Sequence, residues 1–125
     1  MELLLDSVVL SDHFNGVSAA TDYLRNVEGK AAISVVTRAE VLTGFDAGAE
    51  RERELLDQFP LLDVNGPVAD LAATLRREHG WRLPDAFQAA LAQHHELRLA
   101  TRNTKDFSPE RHGFAVVPYV LETDG

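Results

Sequence analysis

The 125-residue sequence predicts an α/β fold of three layers, with a mainly parallel sheet of about five strands between helices. Three observations predict it. Short apolar runs bounded by polar or turn residues recur along the chain, as in strands buried on both faces. Segments with apolar residues at i, i+3, i+4 and i+7 separate those runs, the pattern of helices with one buried stripe. Each connecting segment is also long enough for a right-handed crossover between parallel strands. No repeat, low-complexity stretch or linker interrupts this order, so residues 1–125 are expected to form one domain.

The elements follow in turn. Residues 2–6 read as a buried strand ending in the carboxylate of Asp6, and residues 7–10 as the start of a short helix that Gly16 stops. Ser18 is the expected N-cap of the next helix, with Ala20, Tyr23, Leu24 and Val27 as its stripe and Gly29 as its C-cap glycine. Residues 31–36 read as the second strand. Thr37 to Glu40 then starts a helix with Val41, Leu42 and Phe45 inward, broken or bent at Gly44 and Gly48. Residues 49–59 are charged with one apolar edge, which describes a surface helix. Residues 61–64 form a third strand and Asn65-Gly66-Pro67 a turn. Val68, Leu71, Ala72 and Leu75 stripe a helix closed by Gly80. Pro84 sits at the first position of another, where its missing N–H costs nothing. Residues 97–100 are the fourth strand. Residues 114–117 are the fifth, an edge strand because Pro118 follows closely, and the tail from 121 to 125 is expected to fray.

Composition narrows the function. Hydrophobic residues make up 45% and charged residues 26%, values ordinary for a soluble globular protein. The absence of cysteine excludes disulfides, thiolate metal sites and cysteine nucleophiles, and fits a reducing cytosol. The apolar start is interrupted by Asp6 and has no basic stretch before it, so no signal peptide is expected. No apolar run approaches the roughly 20 residues a membrane helix needs. A cytoplasmic protein without membrane contact is the expectation. The net charge of −8 opposes non-specific binding to a polyphosphate. If the substrate is nucleic acid, a divalent cation on the acidic residues or local arginines must offset that charge; otherwise −8 only keeps the protein soluble.

Four chemistry-bearing positions fall where the chain leaves a strand or enters a helix: Asp6, Glu40, Asp85, and the pair Asn103 and Asp106. In open α/β sheets, ligands bind outside the carboxyl ends of the strands. Each position has a structural use of its own. Asp6 can cap the following helix, and Thr37 with Glu40 matches a capping box. Asp85 can favour the positive end of a helix, and Asn103 with Asp106 can brace a turn. Together they describe more. Gathering carboxylates costs repulsion that a cation removes, and an oxygen-only donor set favours a hard ion, Mg²⁺ or Mn²⁺. Such sites serve phosphoryl chemistry. The sequence has no P-loop and no dinucleotide fingerprint. It also lacks the second strand-one acid of a receiver domain and the second Asp of a haloacid-dehalogenase-type phosphatase. Arg38, Arg82, Arg102 and Lys105 flank the acidic motifs and can reach RNA phosphates or simply sit in solvent. His94 and His95 suit a helix end, and Trp81 suits the core.

These motifs carry a resemblance. Leu-Leu-Leu-Asp6-Ser7, Ser34-Val-Val-Thr37-Arg-Ala-Glu40, Arg82-Leu-Pro-Asp85-Ala and Thr101-Arg102-Asn103-Thr-Lys-Asp106-Phe107 resemble the motifs of PIN-domain ribonucleases, above all VapC toxins of bacterial toxin–antitoxin pairs. The order agrees over nearly the whole chain. Ser7 stands where the family usually has Thr, and Asn103 where many members have Asp. The resemblance implies a three-layer α/β/α fold and a Mg²⁺- or Mn²⁺-dependent endoribonuclease. It implies Asp6, Glu40, Asp85 and Asp106 as catalytic and metal-site residues. Asn103 supports them and Ser7, Thr37, Thr101 and Arg102 orient them or touch substrate; whether Asn103 or Asp106 completes the site stays open. It further implies a homodimer and a VapB-type antitoxin covering the groove; Tyr23, Leu24, Val27 and residues 41–59 can form those surfaces, or most of them can equally pack in the core. Two alternatives stand beside it: a PIN-like module that binds RNA or a partner without efficient cleavage, and a PIN nuclease of RNA processing outside any toxin–antitoxin pair.

Overall fold

Successive side chains of an extended strand point to opposite faces, so three leucines in a row demand a sheet covered on both sides. Leu3–Leu5 forms that strand, β1: Leu4 packs into the apolar core on one face, and Leu5, with Leu3, into the core on the other. A computed structural model describes residues 1–46 and 48–121. After β1 come α1 (Ser7–Phe14), α2 (Ser18–Asn26), β2 (Ala31–Ser34), α3 (Val35–Thr43), α4 (Glu50–Leu56), β3 (Leu61–Leu62) and α5 (Gly66–His79). Then follow α6 (Leu83–His94), β4 (Arg98–Ala100) and β5 (Ala115–Val116). All four strand pairings are parallel, in the order β3-β2-β1-β4-β5. Helices α5 and α6 cover one face with Val68, Ala72, Leu75, Ala89 and Ala90. Helices α1 to α4 cover the other with Val9, Leu10, Leu24, Val41 and Leu56. The fold is three-layer α/β/α, as expected, with β5 at an edge.

Several local expectations are corrected by capping chemistry. The second strand stops at Ser34, and Val35 and Val36 open α3 instead of extending β2. The cause is Ser34, whose hydroxyl accepts the Thr37 N–H at 3.0 Å and so turns the chain into a helix two residues before the β-branched run ends. Thr37 is therefore not the cap, and no Thr37–Glu40 capping box forms. Ser18 is the first residue of α2 rather than its cap; Val17 holds the cap position without a side-chain bond. That helix ends at Asn26, and Gly29 serves the turn beyond it with φ 81°. Gly66 and Pro67 belong to the first turn of α5, because the Asn65 side chain accepts the Val68 N–H at 3.0 Å. Gly80 closes α5 in the left-handed conformation, φ 71°. The tail expected to fray lies outside the described residues beyond Leu121.

The chain leaves β1 toward β2 on one side and later returns to place β4 on the other. Strand order thus reverses between β1 and β4, and a crevice opens at their carboxyl ends. Asp6 and Thr101 are the residues that emerge there. Leu99, the fully buried middle residue of β4, packs beneath this crevice. Leu99→Ala is expected to cost about 2–5 kcal/mol of stability through lost burial and a residual cavity, read as a lower urea midpoint with an unchanged slope.

Candidate active site

The crevice is built from side chains that first satisfy the backbone. Asp6 caps α1: its Oδ1 accepts the Ser7 N–H at 2.8 Å. Its own N–H bonds the Ala100 carbonyl at 3.0 Å, carrying the β1–β4 ladder one residue past the strand. Its Oδ2 accepts the Thr101 hydroxyl at 2.6 Å. Asp6 is therefore fixed between the two strands that define the reversal, with 7% of its surface exposed.

Beneath it lies a closed polar network. Gln88, on α6 and buried, donates from Nε2 to Thr37 Oγ1 at 2.5 Å and, more weakly, to Asp6 Oδ1 at 3.4 Å. Its Oε1 accepts the Ser34 hydroxyl at 2.8 Å. Thr37 in turn donates to the Leu5 carbonyl at 3.3 Å. The ends of β1 and β2, the start of α3 and the middle of α6 are tied into one unit.

The charges of Asp6, Glu40 and Asp106 all reach Asp85, and that of Asp6 also reaches Glu40. Glu40 projects from α3, exposed along its side but with its carboxyl partly buried; that burial raises the carboxyl, opposed by the Ser7 hydroxyl, which donates toward it. Asp85 stands in the first turn of α6, behind Pro84. Its carboxyl is pushed up to about 6, first by burial and then by the negative charges of Asp6, Asp106 and Glu40, with Arg82 opposing. Asp106 belongs to the loop after β4. Asn103 braces it twice: Asn103 Nδ2 donates to Asp106 Oδ2 at 3.0 Å, and Asn103 Oδ1 accepts the Asp106 N–H at 3.3 Å. Thr101 Oγ1 also accepts the Asn103 N–H at 3.0 Å, so this loop hangs from the hydroxyl that holds Asp6. Asn103 and Asp106 stand differently in this loop. Asn103 holds the loop, and the Asp106 charge reaches Asp85.

This donor set is entirely oxygen and carries an excess of negative charge that Arg82 only partly answers, which fits a hard divalent cation. As the side chains are placed, no three acidic or imidazole groups among the described residues stand close enough to enclose one.

The remaining candidates separate. The Arg102 guanidinium grips Asp12 with two bonds, 2.6 Å from Nε and 3.0 Å from Nη2, and the Tyr119 hydroxyl donates to the same carboxylate at 2.7 Å. Burial pushes the Asp12 carboxyl up, but these bonds and the Arg102 charge outweigh it and hold it below its ordinary value. Arg102 is thus committed to tying the β4 end and the chain beyond β5 to α1. Arg38 pairs with Asp57 at 2.8 Å on the surface. Lys105 is exposed, and so are His94 and His95 at the end of α6. Trp81 is buried against Phe107, ring centroids 4.8 Å apart. Gln88 and Asp12 escaped the sequence reading. Gln88 carried a signal, a polar side chain within the run Ala86 to Ala92 and three residues after Asp85, on the same helical face. Asp12 carried a weaker one, three residues after the buried Val9.

A parallel α/β sheet with a carboxylate cluster at its strand-order reversal defines a class of acidic-site α/β proteins. The chain belongs to the PIN-domain family: the PIN domain model matches residues 3–108. It is 37% identical to ribonuclease VapC10 of Mycobacterium tuberculosis, across 84% of this chain and 85% of that protein. Its structure matches a toxin–antitoxin complex from Klebsiella pneumoniae with a TM-score of 0.87 and 35% identity, covering 96% of this chain and all of that one. FitAcB from Neisseria gonorrhoeae shares the fold, with a TM-score of 0.74 and 24% identity over 95% of this chain and 99% of that one.

Two outcomes follow from this geometry. The folded state holds a proton on Asp85 that the unfolded chain has released, so the Asp85 contribution to stability is full below pH 3.8 and is lost as pH rises through about 6. Asp85→Asn is expected to flatten this decline and to raise Tm at pH 7 in metal-free buffer, measured by thermal melts from pH 4 to pH 8. Arg102→Met leaves the Asp12 carboxylate short of its charged partner and is expected to cost about 1–3 kcal/mol in urea unfolding.

Proposed function

We propose that this chain is a divalent-metal-dependent endoribonuclease and the toxin partner of a VapB-type antitoxin, acting as one cytoplasmic domain that pairs as a homodimer. The observation that carries the reading is the convergence of charge on Asp85. Asp6, Glu40 and Asp106, which come from three separate elements, all act on this one half-buried carboxyl at the carboxyl ends of β1 and β4. Repulsion of this kind costs stability and gathers at functional sites. The similarity to a ribonuclease and to a toxin–antitoxin complex supports the activity and the partner. Among the described residues no helix is long and apolar enough to cross a membrane, in keeping with the location.

Asp6, Glu40, Asp85 and Asp106 would hold Mg²⁺ or Mn²⁺, which when bound activates water and neutralises charge on the scissile phosphate. The chain's own groups prepare that site. Ser7, through its N–H, and Thr101, through its hydroxyl, keep the Asp6 carboxylate in place. The Ser7 hydroxyl favours the charged form of Glu40, and Asn103 holds Asp106. Thr37 acts from beneath through Gln88, while Arg82 is the cation poised at the acidic mouth for an RNA phosphate. The apolar strip of Val35, Val36, Ala39, Leu83, Pro84 and Phe87 borders Glu40 and suits the segment of an antitoxin that covers the site.

One observation favours a second reading. The carboxylates as placed do not enclose an ion, which suits a PIN-like module that binds RNA or a partner without efficient cleavage. Purified protein incubated with a total-RNA pool in Mg²⁺ or Mn²⁺, or in EDTA, separates the two. Cleavage that requires metal and falls about 10²-fold or more in Asp6→Asn is expected. RNA retained on the protein but left intact in every metal condition would establish the binding module instead.

A further inference from the structure

Gln88 is the one amide side chain in the α6 stripe, and its surroundings leave it a single orientation. The Ser34 hydroxyl accepts the Thr37 N–H and keeps its own hydrogen for Gln88 Oε1. The Thr37 hydroxyl gives its hydrogen to the Leu5 carbonyl and has only a lone pair left for Gln88 Nε2. A backbone donor at one end and a backbone acceptor at the other therefore set the polarity of the whole chain of bonds. Rotating the amide by half a turn would aim its oxygen at the Asp6 carboxylate and pair acceptor with acceptor. With the orientation set, the second Nε2 hydrogen is directed at Asp6 Oδ1.

A carboxylate offers about four lone-pair positions, two on each oxygen. On Asp6, among the described residues, Oδ1 receives Ser7 N–H and Gln88 Nε2, while Oδ2 receives only the Thr101 hydroxyl. The open position is on Oδ2. We propose that Gln88 is a positioning residue for Asp6: its amide, aimed by Ser34 and Thr37, occupies Oδ1 and fixes the carboxylate plane so that Oδ2 is the oxygen left to work in the site. The inference rests on the reading of Asp6 as an active-site carboxylate. It also gives Ser34 and Thr37, neither of which touches Asp6 by its side chain, a defined path to it.

The test combines binding and kinetics on Gln88→Met, which keeps the side-chain length without polar atoms, and on Gln88→Glu, which keeps an acceptor for Ser34 but loses the donor pair at neutral pH. Mn²⁺ affinity of the folded proteins is measured by calorimetry, beside kcat and KM for RNA cleavage. Loss of a partner that orients a metal-binding side chain typically weakens metal affinity or activity by about 10- to 100-fold. A fall of that size in Mn²⁺ affinity and kcat, with KM near wild type, is expected for both variants. If both fold, bind Mn²⁺ as wild type and keep kcat, Gln88 is core packing alone and the proposal fails. Should both variants prove unfolded, Ser34→Ala removes the guide of the amide together with the side-chain cap of α3; a wild-type Mn²⁺ affinity in the folded Ser34→Ala protein overturns the proposal equally. Asp6→Asn keeps the two readings apart. If Asp6→Asn weakens Mn²⁺ binding and the Gln88 variants do not, only the Gln88 role is lost. If wild type binds no Mn²⁺ and Asp6→Asn changes neither binding nor cleavage, the active-site reading falls and this inference with it.

Discussion

A carboxylate placed where the central strand ends, almost out of reach of water, has to be satisfied by the protein. Asp6 is that group, and much of the molecule is arranged to meet its demand. The backbone of α1 begins there because Asp6 supplies its cap. Thr101, the first residue past β4, reaches it from the neighbouring strand, and Gln88 reaches it from the helix layer below. Groups from both halves of the chain are drawn to one side chain. The Thr101 hydroxyl adds a side-chain tie between β1 and β4 just past the ladder that sets their register.

The apolar cores explain why this meeting occurs at the surface end of the sheet and not within it. Strands of two to four residues are too short to hold a site along their length. Their side chains are spent on the two faces, Leu4 and Leu99 toward α5 and α6, Leu5 and Ala100 toward α1 to α3. Function is left to the residues that follow each strand. There, capping, turn and catalytic chemistry all call for the same short polar side chains. Asp6, Ser34 and Asn103 each hold local backbone in place and each belong to the polar apparatus around the carboxylates.

That overlap governs what could be read beforehand. The alternation of apolar runs with helical stripes was strong enough to yield the element order and the layers, because burial on both sheet faces leaves a plain pattern. The carboxylates were legible as residues leaving strands or entering helices. The boundary at residues 34–36 was not. Val35 and Val36 favour a strand by propensity, and a single hydroxyl on Ser34 overrides them. Arg102 offered either a phosphate contact or a solvated side chain and no ion pair, because its partner Asp12 lies 90 residues away along the chain. Gln88 escaped notice for a similar reason, since its partners are Asp6 after β1, Ser34 at the end of β2 and Thr37 in α3. Short-range spacing shows where a group is. Its partners are decided by long-range packing, which no local window contains.

The contact between Trp81 and Phe107 has a consequence of another kind. Trp81 precedes the helix turn that carries Asp85, and Phe107 follows Asp106 directly; with His79 stacked on the indole at 4.2 Å, the rings form one aromatic wedge under two loops. Neither loop can open alone without stripping the other of its support. Local unfolding in this region is therefore a shared event, with Asp85 and Asp106 lost and recovered together. A protease or an exchange experiment would meet the site as a single cooperative patch, intact or absent.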